Sequence, residues 1–263
     1  LSHSKRIIIV PARFASTRFP GKPLVELNGK TAIRHTIDVA RKVRGIDAIY
    51  VATDDVRIAN DVESYGCAAI FTSASCRNGT ERVAEAAGTL GLDGGDLVVN
   101  LQGDAPLTPP SFIEHVLEFL NGRPEADAVT PVLRCDRSNY LRIAADIRNN
   151  RVGATTSVFD ARGRALYFSK ALVPSGTSAE TLAELPVYHH VGLYGYRVSC
   201  LKGFGELPIG PLEQAEKLEQ LRFLENGLCM YVLQEHDDGT EFWELNNPED
   251  VSHLERTLPK PTA

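Results

Sequence analysis

Ile7-Ile8-Ile9-Val10-Pro11-Ala12-Arg13-Phe14-Ala15-Ser16-Thr17-Arg18-Phe19-Pro20-Gly21-Lys22-Pro23-Leu24 joins a β-branched apolar block to a proline-punctuated basic loop. The block reads as a buried parallel strand. The loop carries Arg13, Arg18 and Lys22, and Pro11, Pro20, Gly21 and Pro23 stiffen it. Open α/β sheets bind ligands at the carboxyl edge of their strands. Two planar guanidinium forks and one ammonium at that edge suit a triphosphate. On charge alone, a solvated basic turn is an equal reading.

The rest of the first half alternates strand and helix signals. Apolar spacing predicts helices over 31–44, 54–65, 80–90 and 110–120, and strands over 48–52, 68–71 and 97–101. Strands separated by helices of this length imply right-handed crossovers and a parallel sheet. The second half reads as strands over 128–133, 153–159, 165–168 and 191–197, which predict an antiparallel extension. Residues 174–179 read as a loop. Leu212, Ala215, Leu218, Leu221 and Leu224 predict one amphipathic helix closed by Asn226-Gly227. A strand over 230–233 and a helix over 248–258 follow. The expected fold is α/β, a doubly wound, mostly parallel sheet with an antiparallel extension, in one domain over 1–263.

The 263 residues allow a sizeable core, and 43% apolar with 24% charged residues is ordinary globular composition. A net charge of -6 argues against nucleic acid as a partner, which needs a basic face. No apolar run has the length of a membrane span. The five cysteines are scattered, without a Cys-x-x-Cys pair, and read as free thiols. Leu1 to Arg6 show no signal-peptide pattern, so the expected location is the cytoplasm.

Asp104, in Gln102-Gly103-Asp104-Ala105-Pro106, follows the 97–101 strand and faces the basic loop. A carboxylate there suits Mg²⁺, which takes one or two carboxylates plus phosphate oxygens and waters; the plainer reading is a turn cap. Gly79-Thr80-Glu81-Arg82 opens a helix and by itself reads as an ordinary N-terminus. No Ser-His-Asp order or Gly-x-Ser-x-Gly elbow is present.

The 10–24 string resembles the signature loop of the CTP-dependent sugar-acid cytidylyltransferases, above all those acting on 3-deoxy-manno-octulosonate (Kdo). Val51 to Asp54, Gly79 to Arg82, Asn100 to Asp104, Ala165 to Ser169, Gly192 to Tyr196 and Leu218 to Arg222 match in order, so the resemblance spans nearly the whole chain. It implies a nucleotide-diphospho-sugar transferase type of sheet and a magnesium-dependent transfer of CMP to a small anionic acceptor, with release of pyrophosphate. Arg13, Lys22 and Asp104 would be catalytic. Pro11, Ala12, Arg13, Ser16, Arg18, Lys22, Thr53, Asp54, Asn78, Gly79, Thr80, Arg82 and Gln102 would hold CTP. Gln102, Lys170, His190, Tyr194, Glu219 and Gln220 would hold the acceptor, and Asp104 with Asn246 the metal. Read alone, His190 and Tyr194 are core residues, and Glu219 and Gln220 a solvated helix face. The resemblance also implies a homodimer, with residues 130–200 as acceptor and contact region.

The chain departs from that pattern on the acceptor side. Kdo enzymes read Val-Asp-Thr-Pro-Glu-Asp where this chain has Leu245-Asn246-Asn247-Pro248-Glu249-Asp250, so an amide replaces a metal-binding carboxylate. Lys170 stands in place of an Arg, Gly153 to Thr156 replace Val-Lys-Val-Val, and His189 stands where Arg is frequent. Glu244, two residues before Asn246, lies on the same side of an extended chain and is a candidate to restore the lost charge. These changes suggest an enzyme that keeps CTP and takes another acid. A phosphonate such as phosphonoformate is one alternative. A CTP-binding pseudo-enzyme and a transferase using another nucleotide are the others.

Overall fold

The computed structural model describes residues 4–15, 19–149, 154–236 and 242–260. In β1 (Arg6–Ala12) alternate side chains go to opposite faces, Ile7 and Ile9 to one core and Ile8 and Val10 to another. A strand buried on both faces needs helices on both. α1 (Ala32–Arg41), α2 (Val56–Ser64) and α4 (Pro110–Gly122) cover one face through Ile33, Ile37, Ile58, Val62, Ile113 and Val116. α3 (Gly79–Thr89) covers the other through Val83, Ala86 and Ala87. The sheet is doubly wound, as the spacing predicted.

β1 pairs in parallel with β4 (Ala48–Thr53) and β6 (Leu97–Leu101), and β4 with β5 (Ala68–Phe71). The carboxyl ends of these strands line one edge. Beyond β6 the pairing turns antiparallel. β11 (Leu193–Arg197) lies between β6 and β7 (Ala128–Arg134), and β10 (Tyr188–His190), β8 (Thr156–Phe159) and β9 (Ala165–Ser169) continue outward. β7 also pairs in parallel with β12 (Met230–Glu235). β11 pairs with β7 at Ala128 and Val129, and β10 takes over at Val132 to Arg134. The change occurs at Val191-Gly192, where Thr130 donates its hydroxyl to the Leu193 carbonyl at 2.7 Å. The expected 191–197 strand therefore starts at Leu193, and the extension is larger than predicted.

Two further corrections concern helices. α5 (Arg137–Arg148) has no counterpart among the elements expected from the sequence; it is capped by Asp136, whose carboxylate accepts from the Asn139 N–H at 2.6 Å. The single helix expected over 212–224 is broken into α7 (Pro211–Glu216) and α8 (Leu221–Glu225), with Lys217 in left-handed conformation at φ 54°. Apolar residues at constant steps of three walk around an α-helix; one face needs mixed steps of three and four. Leu212 is accordingly exposed while Leu221 is fully buried.

A hairpin of β2 (Glu26–Leu27) and β3 (Lys30–Thr31) packs with α9 (Asp250–Thr257) through Leu27, Leu245, Leu254 and Leu258. This satellite core lays residues 243–246 beside the carboxyl end of β6. α6 (Val198–Leu201) leads from β11 back under α3. Among the described residues no helix is long and apolar enough to cross a membrane.

Candidate active site

The cleft begins where β1 and β6 end side by side. Gly103 is forced by their approach, because a Cβ there would stand 3.0 Å from the Pro11 carbonyl oxygen. The basic loop leaves β1 through Pro11 and Ala12, both buried, and Arg13, which is exposed. It closes on itself where Gly21 N–H donates to the Phe14 carbonyl at 2.9 Å. Ser16 and Arg18 lie outside the described residues. A 3-10 turn at Lys22–Leu24 then turns Lys22 onto Asp104, and the two form an ion pair. Both side chains keep a minor part of their surface exposed, 19% and 17%, so the pair faces the cleft. The structure thus brings together Pro11, Lys22, Gln102 and Asp104, with Arg13 exposed at the end of β1.

The start of α3 forms the next wall. Asn78 caps it, accepting from the Glu81 N–H at 2.8 Å. A Cβ on Gly79 would lie 3.1 Å from Gln102 Nε2 and 3.5 Å from Pro11 Cγ, which places the helix start against the beginning of the basic loop. Thr80 points inward. Its hydroxyl donates to Glu219 Oε1 at 2.9 Å and accepts from the Tyr196 hydroxyl at 2.8 Å. Burial pushes the Glu219 carboxyl up, and hydrogen bonds from the Thr80 hydroxyl and the Thr80 and Gly79 N–H groups oppose that rise. Glu219 therefore caps the α3 N-terminus, where its negative charge meets free N–H groups and the positive end of the helix dipole. It is not on a solvated helix face. Thr53 is buried at the end of β4 and accepts from Asp55 N–H at 3.2 Å. Arg82 is buried behind the same edge, donating to Thr72 Oγ1 at 2.5 Å and lying 3.4 Å from Asp54.

Sequence reasoning gave no role to a buried ionic knot behind this wall. Arg222 is fully buried; its Nε and Nη2 donate to Glu213 at 2.7 and 2.6 Å, and its Nη1 to Glu81 at 2.8 Å. The guanidinium also lies over the Phe204 ring. Burial opposes ionisation of Glu81, but Arg77 and Arg222 together hold its carboxyl below the ordinary range. The signal for this knot was the Leu218 to Arg222 motif.

Beside the end of β6, His190 and Tyr194 are buried with ring centroids 5.3 Å apart. Thr130 spends its proton on the Leu193 carbonyl, so His190 Nε2, at 2.8 Å, is the donor to the Thr130 oxygen. Burial lowers the His190 pKa to about 3, which keeps the ring neutral. Tyr194 donates to Gln220 Oε1 at 3.3 Å, and Gln220 is buried as well, contrary to the solvated reading. Lys170 lies further out, with its N–H donating to Glu216 at 2.9 Å. Asn246 is held near Asp104 through its neighbour, because Leu245 N–H donates to the Asp104 carbonyl at 2.8 Å. Among the described residues no group of three or more His, Cys, Asp or Glu side chains is placed to hold a metal. A separate hollow behind α3 is lined by Cys76, Arg77, Glu85, Lys202 and Glu206 and contains none of the expected contact residues.

The family described as Cytidylyltransferase matches residues 7–235. The 3-deoxy-manno-octulosonate cytidylyltransferase of Maricaulis maris is 41% identical over 249 residues, covering 95% of each chain. The 8-amino-3,8-dideoxy-manno-octulosonate cytidylyltransferase of Shewanella pealeana is 40% identical, covering 95% of this chain and 97% of its own. A CMP:2-keto-3-deoxy-manno-octonic acid synthetase solved with CTP superimposes with a TM-score of 0.83 at 30% identity, covering 96% of this chain and 98% of its own.

Proposed function

This chain belongs to the cytidylyltransferase family, and from that premise we propose that it transfers CMP from CTP to a 3-deoxy-octulosonate sugar acid and releases pyrophosphate. The observation that carries the reading is the meeting of the Lys22–Asp104 pair with Gln102 and the capped start of α3 in one cleft. The relatives act, by their names, on 3-deoxy-manno-octulosonate or its 8-amino-3,8-dideoxy form. The phosphonate reading gains nothing from them.

In this reading an acceptor oxygen attacks the α-phosphorus of CTP, the bond to the bridging oxygen breaks, and pyrophosphate carries that electron pair away. The protein's share is positioning and charge neutralisation. Lys22 and Arg13 bind phosphate oxygens. Gly79 and Thr80, fixed from behind by Glu219 and Tyr196, shape the wall for the base, with Asn78, Thr53, Asp54 and Arg82 supporting it. Gln102 and Gln220 offer amides to the acceptor, while Tyr194 and the neutral His190 hold Gln220 and the strand break in place. The donor set fits a hard divalent cation, because Asp104 already carries the Lys22 ammonium as a cationic stand-in. Magnesium bound there would supply Lewis-acid polarisation of the phosphate.

Pyrophosphate release with CTP and Mg²⁺ tests the reading. Turnover is expected on at least one of the two octulosonates and not on phosphonoformate; turnover on phosphonoformate alone overturns the acceptor assignment. CTP binding without turnover on any of the three marks a pseudo-enzyme. The exposed Leu141, Ile147, Leu166 and Leu185 support a homodimer through residues 130–200. Light scattering at a dimer mass, lost on charging Leu166, tests that. The free thiols of all five cysteines support a reducing, cytoplasmic setting.

A further inference from the structure

The segment 243–246 is stapled to Asp104 by the Leu245 N–H bond to the Asp104 carbonyl at 2.8 Å. The Leu245 side chain is fully buried in the core shared by β2 and α9. The chain bends tightly at Leu245, where the Asn246 N–H donates to the Glu244 carbonyl at 3.1 Å, and the side chains on either side of Leu245, Glu244 and Asn246, meet each other.

Glu244 has the better placement of the two. Its carboxylate lies over Gly192 in the break between β10 and β11, where a Cβ would come to 2.5 Å from Glu244 Oε1. The same point is 3.7 Å from Gln102 Cγ, two residues before Asp104. Any residue but glycine at 192 would therefore displace the carboxylate from this cradle. Asn246 turns its amide nitrogen towards Glu244 Oε2 at 3.2 Å, and its backbone N–H is held by Asp250 at 2.9 Å. An amide that donates to a carboxylate fixes that carboxylate's orientation, which is how outer groups support a metal ligand.

We propose that Glu244 is the second carboxylate of the cation site and that Asn246 is its positioning residue. This rests on the reading of the cleft as a magnesium-dependent cytidylyltransferase site. It moves the second negative charge two residues upstream of the position the family resemblance would give it. Two carboxylates, completed by phosphate oxygens and water, are the usual protein share of a magnesium site. The proposal also accounts for the charge missing at 246, which is present at 244, over the glycine that opens the matching Gly192 to Tyr196 motif.

Mn²⁺ titration followed by electron paramagnetic resonance, with CTP present and no acceptor, tests this without relying on turnover. Melting curves and metal-free CTP binding show that each variant is folded. Glu244→Gln is expected to weaken Mn²⁺ at least roughly tenfold, and Asn246→Ala to weaken it less. Wild-type affinity in Glu244→Gln, while Asp104→Asn loses the metal, overturns this inference alone. The reverse order of Glu244→Gln and Asn246→Ala overturns it too. Wild-type affinity in Asp104→Asn overturns the reading of the cleft on which it rests.

Discussion

Arg222→Met removes the centre of the buried ionic knot while keeping most of its bulk against Phe204. The wild-type guanidinium makes contacts of 2.6 to 2.8 Å with Glu213 and Glu81, and both carboxylates are about nine-tenths buried. The two are not stranded equally. Glu81 keeps Arg77 at 2.6 Å, whereas Glu213 loses both of its bonds to Arg222. Removing one partner of a buried pair costs about 3–5 kcal/mol, most of it from the charge left behind. In a chain of this size that lowers the melting temperature by roughly 6–20 °C. Neutralising the stranded carboxylate should recover part of the loss, so Glu213→Gln in the Arg222→Met background should regain about 1–2 kcal/mol. Glu81 sits in the first turn of α3, so Arg222→Met should also raise KM for CTP. Thermal melts of the three proteins at neutral pH decide the matter. A loss below about 1 kcal/mol for Arg222→Met, or a double variant no more stable than the single one, refutes the reasoning.

Lys22→Met should lower kcat/KM for CTP by roughly a hundredfold, the scale of losing one charge-stabilising donor, in steady-state pyrophosphate assays. Gly192→Ala should leave the fold nearly intact, because the intruding methyl meets the end of a flexible Glu244 side chain, yet cost roughly tenfold to a hundredfold in kcat by moving that carboxylate. His190 has a folded pKa, about 3, below its ordinary 6.5, so the unfolded chain binds the proton first as pH falls. Its contribution is fully present above about pH 6.5 and is lost towards pH 3, roughly 4–5 kcal/mol across that window. His190→Gln, which keeps an N–H donor for Thr130, should flatten the acid limb of stability against pH in urea titrations.

The first half of the fold was legible because its signals are local. Ile7 to Val10 and Leu97 to Leu101 are dense runs of buried strand, and α1 and α2 keep a true helical period. The second half depends on partners distant in sequence. Nothing local shows that Thr130 will hold open the gap between β10 and β11. Nor does it show that Lys217 will adopt a left-handed conformation and carry Glu219 to the α3 N-terminus. α5 was missed although Asp136 precedes Tyr140 and Ile143, because its remaining residues are mostly polar. In the cleft, charge and strand position pointed to Lys22 and Asp104, which the structure pairs, while Gln102 came from the resemblance. Glu219 and Gln220 were placed at the acceptor by the resemblance alone; read without it they fell on the solvated face of a helix that does not exist.

Glu219 and Gln220 are adjacent in the chain and face different halves of the cleft. Glu219 holds the helix start, which the proposed reading gives to the nucleotide, and Gln220 meets Tyr194, where that reading puts the acceptor. No flexible link separates them, so a ligand that draws Gln220 towards itself also pulls on the cap of α3. On the proposed reading, the two substrates are then expected not to bind independently. Thermodynamic reciprocity requires that whatever factor the sugar acid adds to CTP affinity, CTP adds to the affinity for the sugar acid. The order in which the substrates are titrated cannot change that factor, and Glu219→Gln should bring it closer to one.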